Sequence, residues 1–201
     1  MNTLAYKVKV NNMGFKRETL AEVISRLRSN GIDGVIIGST VYMIYLKLKE
    51  FEDDIDIFTT TISPTFDEDI IREAAKKLKC IVGQTEWGTP QLRCHFSGDE
   101  VTIELHENIY DFYIPNKIIE DAKTVSIGSV DIKILRLEDY LVLKAKAGRD
   151  VDFEDLRFLV DLINSKDLSI NISKIIERLN LFDEYEAKLI RKRLKEVGLK
   201  I

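Results

Sequence analysis

Asp54 and Asp56 are the residues from which chemistry is most readily built, because they alternate with isoleucine in Asp54-Ile55-Asp56-Ile57. On a strand, residues two apart share a face, so both carboxylates would project together while Ile55 and Ile57 enter the core. Side-by-side carboxylates repel, and a cation between them removes the repulsion. Hard oxygen donors of this kind suit Mg²⁺ or Mn²⁺. A third acid stands on Val101-Thr102-Ile103-Glu104-Leu105-His106, where Thr102, Glu104 and His106 share the face opposite Val101, Ile103 and Leu105. Laid beside the first strand, Glu104 completes a triad able to hold two metals. Such a site bridges a nucleotide's phosphates and activates an attacking hydroxyl. Glu107 is the nearest rival, although it falls on the other side of the strand.

Gly38-Ser39-Thr40 follows the apolar run Val35-Ile36-Ile37 and opens a helical pattern. Glycine there permits a close backbone approach, and hydroxyls with free amides at a helix start bind phosphate. No Gly-Lys-Ser/Thr follows, so this is not a P-loop. The bland alternative is a strand-to-helix turn with Ser39 as cap. The remaining candidates have structural readings of equal or greater weight. Arg149 with Asp152 or Asp155 reads as an ion pair fixing two helices. His95 and His106 read as surface or hydrogen-bonded histidines rather than metal ligands. Trp87, in an open loop, reads as packing over a sheet edge rather than stacking on a base. The cluster Arg191-Lys192-Arg193-Lys195 reads as part of a packed amphipathic helix.

The elements that must position these groups follow from apolar periodicity. Strands are expected at 6–10, 34–37, 55–60, 92–96, 101–106, 123–127 and 130–134. Hairpins are expected around Ser97-Gly98-Asp99 and Gly128-Ser129. Helices are expected at 16–30, 40–49, 67–79, 137–147, 153–164, 172–179 and 183–197. Strands and helices followed by helices alone predict an α/β core over residues 1–136 and a C-terminal helical region over residues 137–201.

Composition limits the alternatives. The 201 residues are 45% hydrophobic and 32% charged with three prolines, which excludes a disordered chain. No apolar run is long enough to span a bilayer, and no signal-peptide core opens the chain, so a cytoplasmic location is expected. Cys80 and Cys94 are then expected to be buried free thiols. Abundant Lys, Glu and Ile with two glutamines follow the trend of thermophile proteins. A net charge of −4 offers no general field for a long nucleic acid.

Ile36-Ile37-Gly38-Ser39, a helix, Asp54-Ile55-Asp56-Ile57 and a later acidic strand together resemble the signature of the nucleotidyltransferase superfamily, the polymerase-β-like fold. A second stretch, Glu138-Asp139-Tyr140-Leu141 with Lys144, Ala147, Arg149, Asp152, Asp155 and Leu156, is similar to small prokaryotic members that include AbiE-type toxins. The resemblance implies a mixed sheet with flanking helices and metal-dependent transfer of an NMP group from an NTP such as ATP. Asp54, Asp56 and Glu104 would bind Mg²⁺ or Mn²⁺ and carry catalysis, while Gly38, Ser39 and Lys144 would contact the nucleotide. The acceptor would be an RNA 3′ end, a protein hydroxyl or a small molecule, and an antitoxin would be a partner. Two departures stand out. Ile37 occupies the position of the usual first glycine, and Lys49-Glu50-Phe51-Glu52-Asp53 makes the approach more acidic than in many relatives. They favour the alternative of a non-catalytic binding or antitoxin-partner protein.

Overall fold

The computed structural model describes residues 14–109 and 113–201. The strand expected at residues 6–10 lies outside them. In chain order, β1 (Phe15–Lys16) leads into α1 (Arg17–Arg28), then β2 (Gly34–Ile37), α2 (Thr40–Tyr45), β3 (Glu50–Phe51) and β4 (Ile55–Thr59). Next come α3 (Glu68–Leu78), β5 (Ile81–Gln84), β6 (Pro90–Phe96), β7 (Asp99–His106) and α4 (Asn116–Glu120). The chain continues with β8 (Lys123–Ile127), β9 (Val130–Ile134), α5 (Leu137–Ala147), α6 (Asp150–Asn164), α7 (Ile172–Leu179) and α8 (Glu184–Glu196).

Seven strands form one mixed sheet in the order β5-β6-β7-β4-β2-β9-β8. β4 runs parallel to β7 and antiparallel to β2, and β2 runs parallel to β9. The alternation read from the sequence is realised in the two central strands, where Ile55, Ile57, Ile103 and Leu105 are buried. Both expected hairpins form, with Phe96 facing Asp99 and Ile127 facing Val130. Ser97 and Gly98 both take positive φ, the geometry a two-residue turn needs to match strand twist. Helix α1 packs on β6, β8 and β9, and α3 packs on β5 and β6. Helix α5 packs on α2, α6, α7 and α8, tying the C-terminal helices to the element that follows β2. Ile190 and Leu194 of α8 are buried, and Arg193 Nη1 donates to the carbonyls of Ala145 and Lys146 at the end of α5. The C-terminal basic cluster is therefore part of a packed helix, as its pattern suggested.

Several expectations are corrected. Helix α2 ends four residues early, because Lys47 turns into the left-handed region and Leu48 N–H closes back on the Met43 carbonyl. This frees Glu50–Phe51 to pair with Phe15–Lys16, a small sheet held by the Phe15 and Phe51 rings 5.3 Å apart. Cys80 and Cys94 are not free thiols but a disulfide, with Cα atoms 4.4 Å apart. The edge strand β5 brings them together: Ile81 pairs with Arg93, which sets Cys80 opposite Cys94.

Candidate active site

The register between β4 and β7 builds the site. Asp56 and Glu104 are directly paired across these parallel strands, so their side chains leave the sheet together. On the other flank, antiparallel β2 sets Ile37 opposite Asp56. The next residue, Gly38, takes φ +67° and passes so close that a methyl group at its Cα would overlap the Asp56 carboxylate. Glycine is required there for both reasons. Replacing Gly38 by Ala is expected to cost about 1–3 kcal/mol, the usual scale for an unfavourable φ forced on a non-glycine residue. Urea denaturation of the wild type and the variant checks this.

Asp54 lies just before β4 rather than within it. Its loop is tied to the start of α2: Ser39 Oγ donates to Asp53 Oδ2 at 2.7 Å, and Thr40 Oγ1 donates to the Asp54 carbonyl at 3.2 Å. Ser39 is thus no side-chain cap; its backbone is already helical and its hydroxyl serves the acidic loop. Asp53 closes the arrangement by accepting from the Asp54 N–H.

Three donors converge beneath Gly38. Single ligand atoms of Asp56, Glu104 and His106 lie within 4.8 Å of one another. His106, taken from its sequence as an ordinary surface or hydrogen-bonded histidine, is buried, with Nε2 2.9 Å from Asp56 Oδ1 and 3.6 Å from Glu104 Oε2. Gln91 of β6 donates to Glu104 Oε1 at 2.8 Å and fixes the carboxylate from its far side. Burial raises the Glu104 carboxyl above its ordinary range, with Gln91 pulling it back. The Asp54 carboxyl is pushed up to about 6, by burial first and then by Asp53, Glu104 and Asp56. Carboxylates driven up by crowding are a mark of functional sites, and a cation would relieve this strain. The donor set of carboxylates and one imidazole therefore fits a divalent metal. The rival Glu107 is occupied elsewhere, accepting from Ser63 Oγ and the Thr65 N–H.

Basic side chains of α5 and of the turn after it also line the cleft, each already paired with carboxylates. Lys144 of α5 lines the same cleft, but its ammonium is held by Asp152 Oδ1 at 2.8 Å and Asp155 Oδ2 at 3.1 Å. Arg149 pairs with Asp152, as the sequence suggested, and also reaches Glu86 Oε1 at 3.0 Å. Trp87, expected over a sheet edge, is 42% exposed and lines the cleft. The cleft holds about 660 Å³ and gathers Gly38, Ser39, Asp54, Asp56, Glu104 and Lys144 onto one surface. Gln91 and Tyr113 also line it and had no signal in the sequence beyond their strand and loop positions.

A central mixed sheet with flanking helices, a glycine pressed on the first acidic strand and a second acid in register on the next strand define the nucleotidyltransferase class of fold. The chain belongs to the family described as "Nucleotidyl transferase of unknown function (DUF2204)", which matches residues 16–196. The structure is similar to that of an antigenic nucleotidyltransferase-like protein from Paracoccidioides brasiliensis, at 16% identity and a TM-score of 0.55 over 92% of this chain and 89% of that one. A weaker similarity, at a TM-score of 0.42 and 12% identity over 90% of this chain and 97% of the other, is to ANT(2")-Ia in complex with adenylyl-2"-tobramycin. No curated protein sequence gives a significant match. Among the described residues, no helix is long and apolar enough to cross a membrane.

Proposed function

We propose that this protein transfers a nucleoside monophosphate from an NTP to a hydroxyl acceptor and releases pyrophosphate. The observation that carries the reading is the pairing of Asp56 with Glu104 on adjacent parallel strands, with Asp54 beside them and Gly38 packed on Asp56. Asp54, Asp56 and Glu104 would hold Mg²⁺ or Mn²⁺, which neutralises triphosphate charge and makes an acceptor hydroxyl easier to deprotonate. Glu104, beside the metal, would draw the proton from the hydroxyl. Ser39 and the Gly38–Ser39 backbone receive the terminal phosphates once Asp53 swings off the hydroxyl. Lys144 faces the same space from α5, poised between its two aspartates and a phosphate. In this reading residues 1–136 carry the chemistry and residues 137–201 close the cleft.

The acidic lining of Asp53, Asp54 and Glu86 favours a small or protein-borne acceptor over a long nucleic acid. The likeness of residues 138–156 to AbiE-type proteins supports a toxin-like role with an antitoxin partner. One observation favours a non-catalytic binding member of the fold instead: Asp53 already sits on the Ser39 hydroxyl that a phosphate would use.

Calorimetric titration of Mg²⁺ with ATP or GTP into the wild type and the Asp54→Ala/Asp56→Ala double variant separates the two readings. Metal-dependent nucleotide binding that disappears in the double variant supports transfer. Absence of nucleotide binding in the wild type defeats it.

A further inference from the structure

We propose that His106 is a direct metal ligand, so that the inner cation site is a mixed set of one imidazole nitrogen and the Asp56 and Glu104 carboxylates, tuned for Mn²⁺ over Mg²⁺. The proposal rests on the metal-dependent reading above and departs from an all-carboxylate site. The chain has two histidines. His95 points to solvent, 3.8 Å from Glu100 at the far end of the β6–β7 hairpin. His106 instead ends β7 on the face that carries Glu104, with its side chain only 5% exposed.

The separations are within reach of one small ion, the His106–Asp56 one already at the ligand–ligand distance and the His106–Glu104 one about 0.6 Å longer. A six-coordinate cation bonded at about 2.1 Å sets neighbouring donors about 3 Å apart. His106 Nε2 stands 2.9 Å from Asp56 Oδ1 and 3.6 Å from Glu104 Oε2. Both acids are fixed without the metal, Glu104 by Gln91 and Asp56 by the passage of Gly38 against it. On metal binding, His106 Nε2 would exchange its contact with Asp56 Oδ1 for a bond to the cation that the two carboxylates would also hold. Mg²⁺ prefers oxygen donors and gives up water reluctantly; Mn²⁺ shares the taste for carboxylates but, as a first-row transition metal, accepts an imidazole nitrogen more readily than Mg²⁺ does. A buried nitrogen offered between two carboxylates therefore shifts the preference toward Mn²⁺.

The test uses Mn²⁺ alone on the full-length protein. Electron spin-echo envelope modulation detects a directly bonded imidazole ¹⁴N, and equilibrium dialysis gives the affinities for Mn²⁺ and Mg²⁺. Wild type and His95→Gln should both show nitrogen modulation, and His106→Gln should lose it. His106→Gln should also weaken Mn²⁺ on the order of ten- to a hundredfold, the scale at which individual side chains tune a metal site, with a smaller change for Mg²⁺. Circular dichroism establishes that the variant is folded, and the wild-type spectrum decides the matter even if it is not. Bound Mn²⁺ without nitrogen modulation in the wild type overturns the His106 ligand and leaves the transfer reaction standing. No bound Mn²⁺ at all overturns both.

Discussion

Asp56→Asn should lower nucleotide transfer roughly a thousandfold, the scale reached when one preorganised charge-stabilising group is removed from an active site. It should do so without loss of stability. Asparagine is close to isosteric and keeps an acceptor oxygen for the contact 2.9 Å from His106. It also keeps the packing under Gly38, where any larger group would collide. One of four crowded acids is neutralised, so the metal-free protein should be unchanged or slightly more stable, since Asp56 is one of the charges that add to burial in holding Asp54 up at about 6. Single-turnover transfer assays and urea denaturation in EDTA check the two halves. Falling activity with undiminished stability separates a site residue from a structural one, and equal falls in both would assign Asp56 to the core instead. Because Asp56 faces Glu104, the effects of Asp56→Asn and Glu104→Gln should be strongly non-additive.

The part of this site that could be read from the sequence is the part governed by strand periodicity. Period two fixes which of Ile55, Asp56 and Ile57 is outward, and the same holds for Ile103, Glu104 and Leu105. The pairing of those strands then follows once both are central in the sheet. His106 obeyed the same period and was assigned to the correct face, but a lone histidine on a face says nothing about its distance to a carboxylate on another strand. The short elements were missed for local reasons. Lys47 and Lys79 adopt positive φ, where glycine or asparagine is the usual sign of a helix end. The end of α2 and the pairing of β1 with β3 therefore had no visible marker. β5 is an edge strand whose alternation is broken by Gly83, and missing it hid the disulfide. The tie between Ser39 and the acidic loop had no sequence signal, because the partner of its hydroxyl, Asp53, lies fourteen residues away.

Arg178→Met should destabilise the fold by about 3–5 kcal/mol at neutral pH, the range for removing one partner of a buried ion pair. Arg178 is fully buried in α7, where its Nε donates to Asp139 Oδ1 at 2.6 Å and its Nη2 to Asp121 Oδ2 at 2.8 Å. It therefore links the residue after α4, the first turn of α5 and α7. Asp139 is itself fully buried, and its Oδ2 has no hydrogen-bond partner. Burial pushes its carboxyl up to about 6 even with Arg178 pulling it down. Without the guanidinium, an ionised Asp139 would be stranded in an apolar interior. The pH dependence distinguishes this cause from lost packing. Asp139 has a raised folded pKa, so its demand for a partner exists only where it is ionised and fades as pH falls through about 6. Asp121 is held down to about 2 by Lys117 and Arg178, so its stabilisation is present above its unfolded value near 4 and is lost as pH falls toward 2. The Asp139 term makes the deficit of Arg178→Met larger near pH 7 than at pH 4, while the Asp121 term changes little over that interval and is lost only below about pH 4. The double variant Arg178→Met/Asp139→Leu should recover much of the loss, because it leaves no Asp139 charge in the interior. Guanidinium denaturation of the three proteins at pH 7 and pH 4 measures this directly, and a deficit that does not change with pH would assign the effect to packing alone.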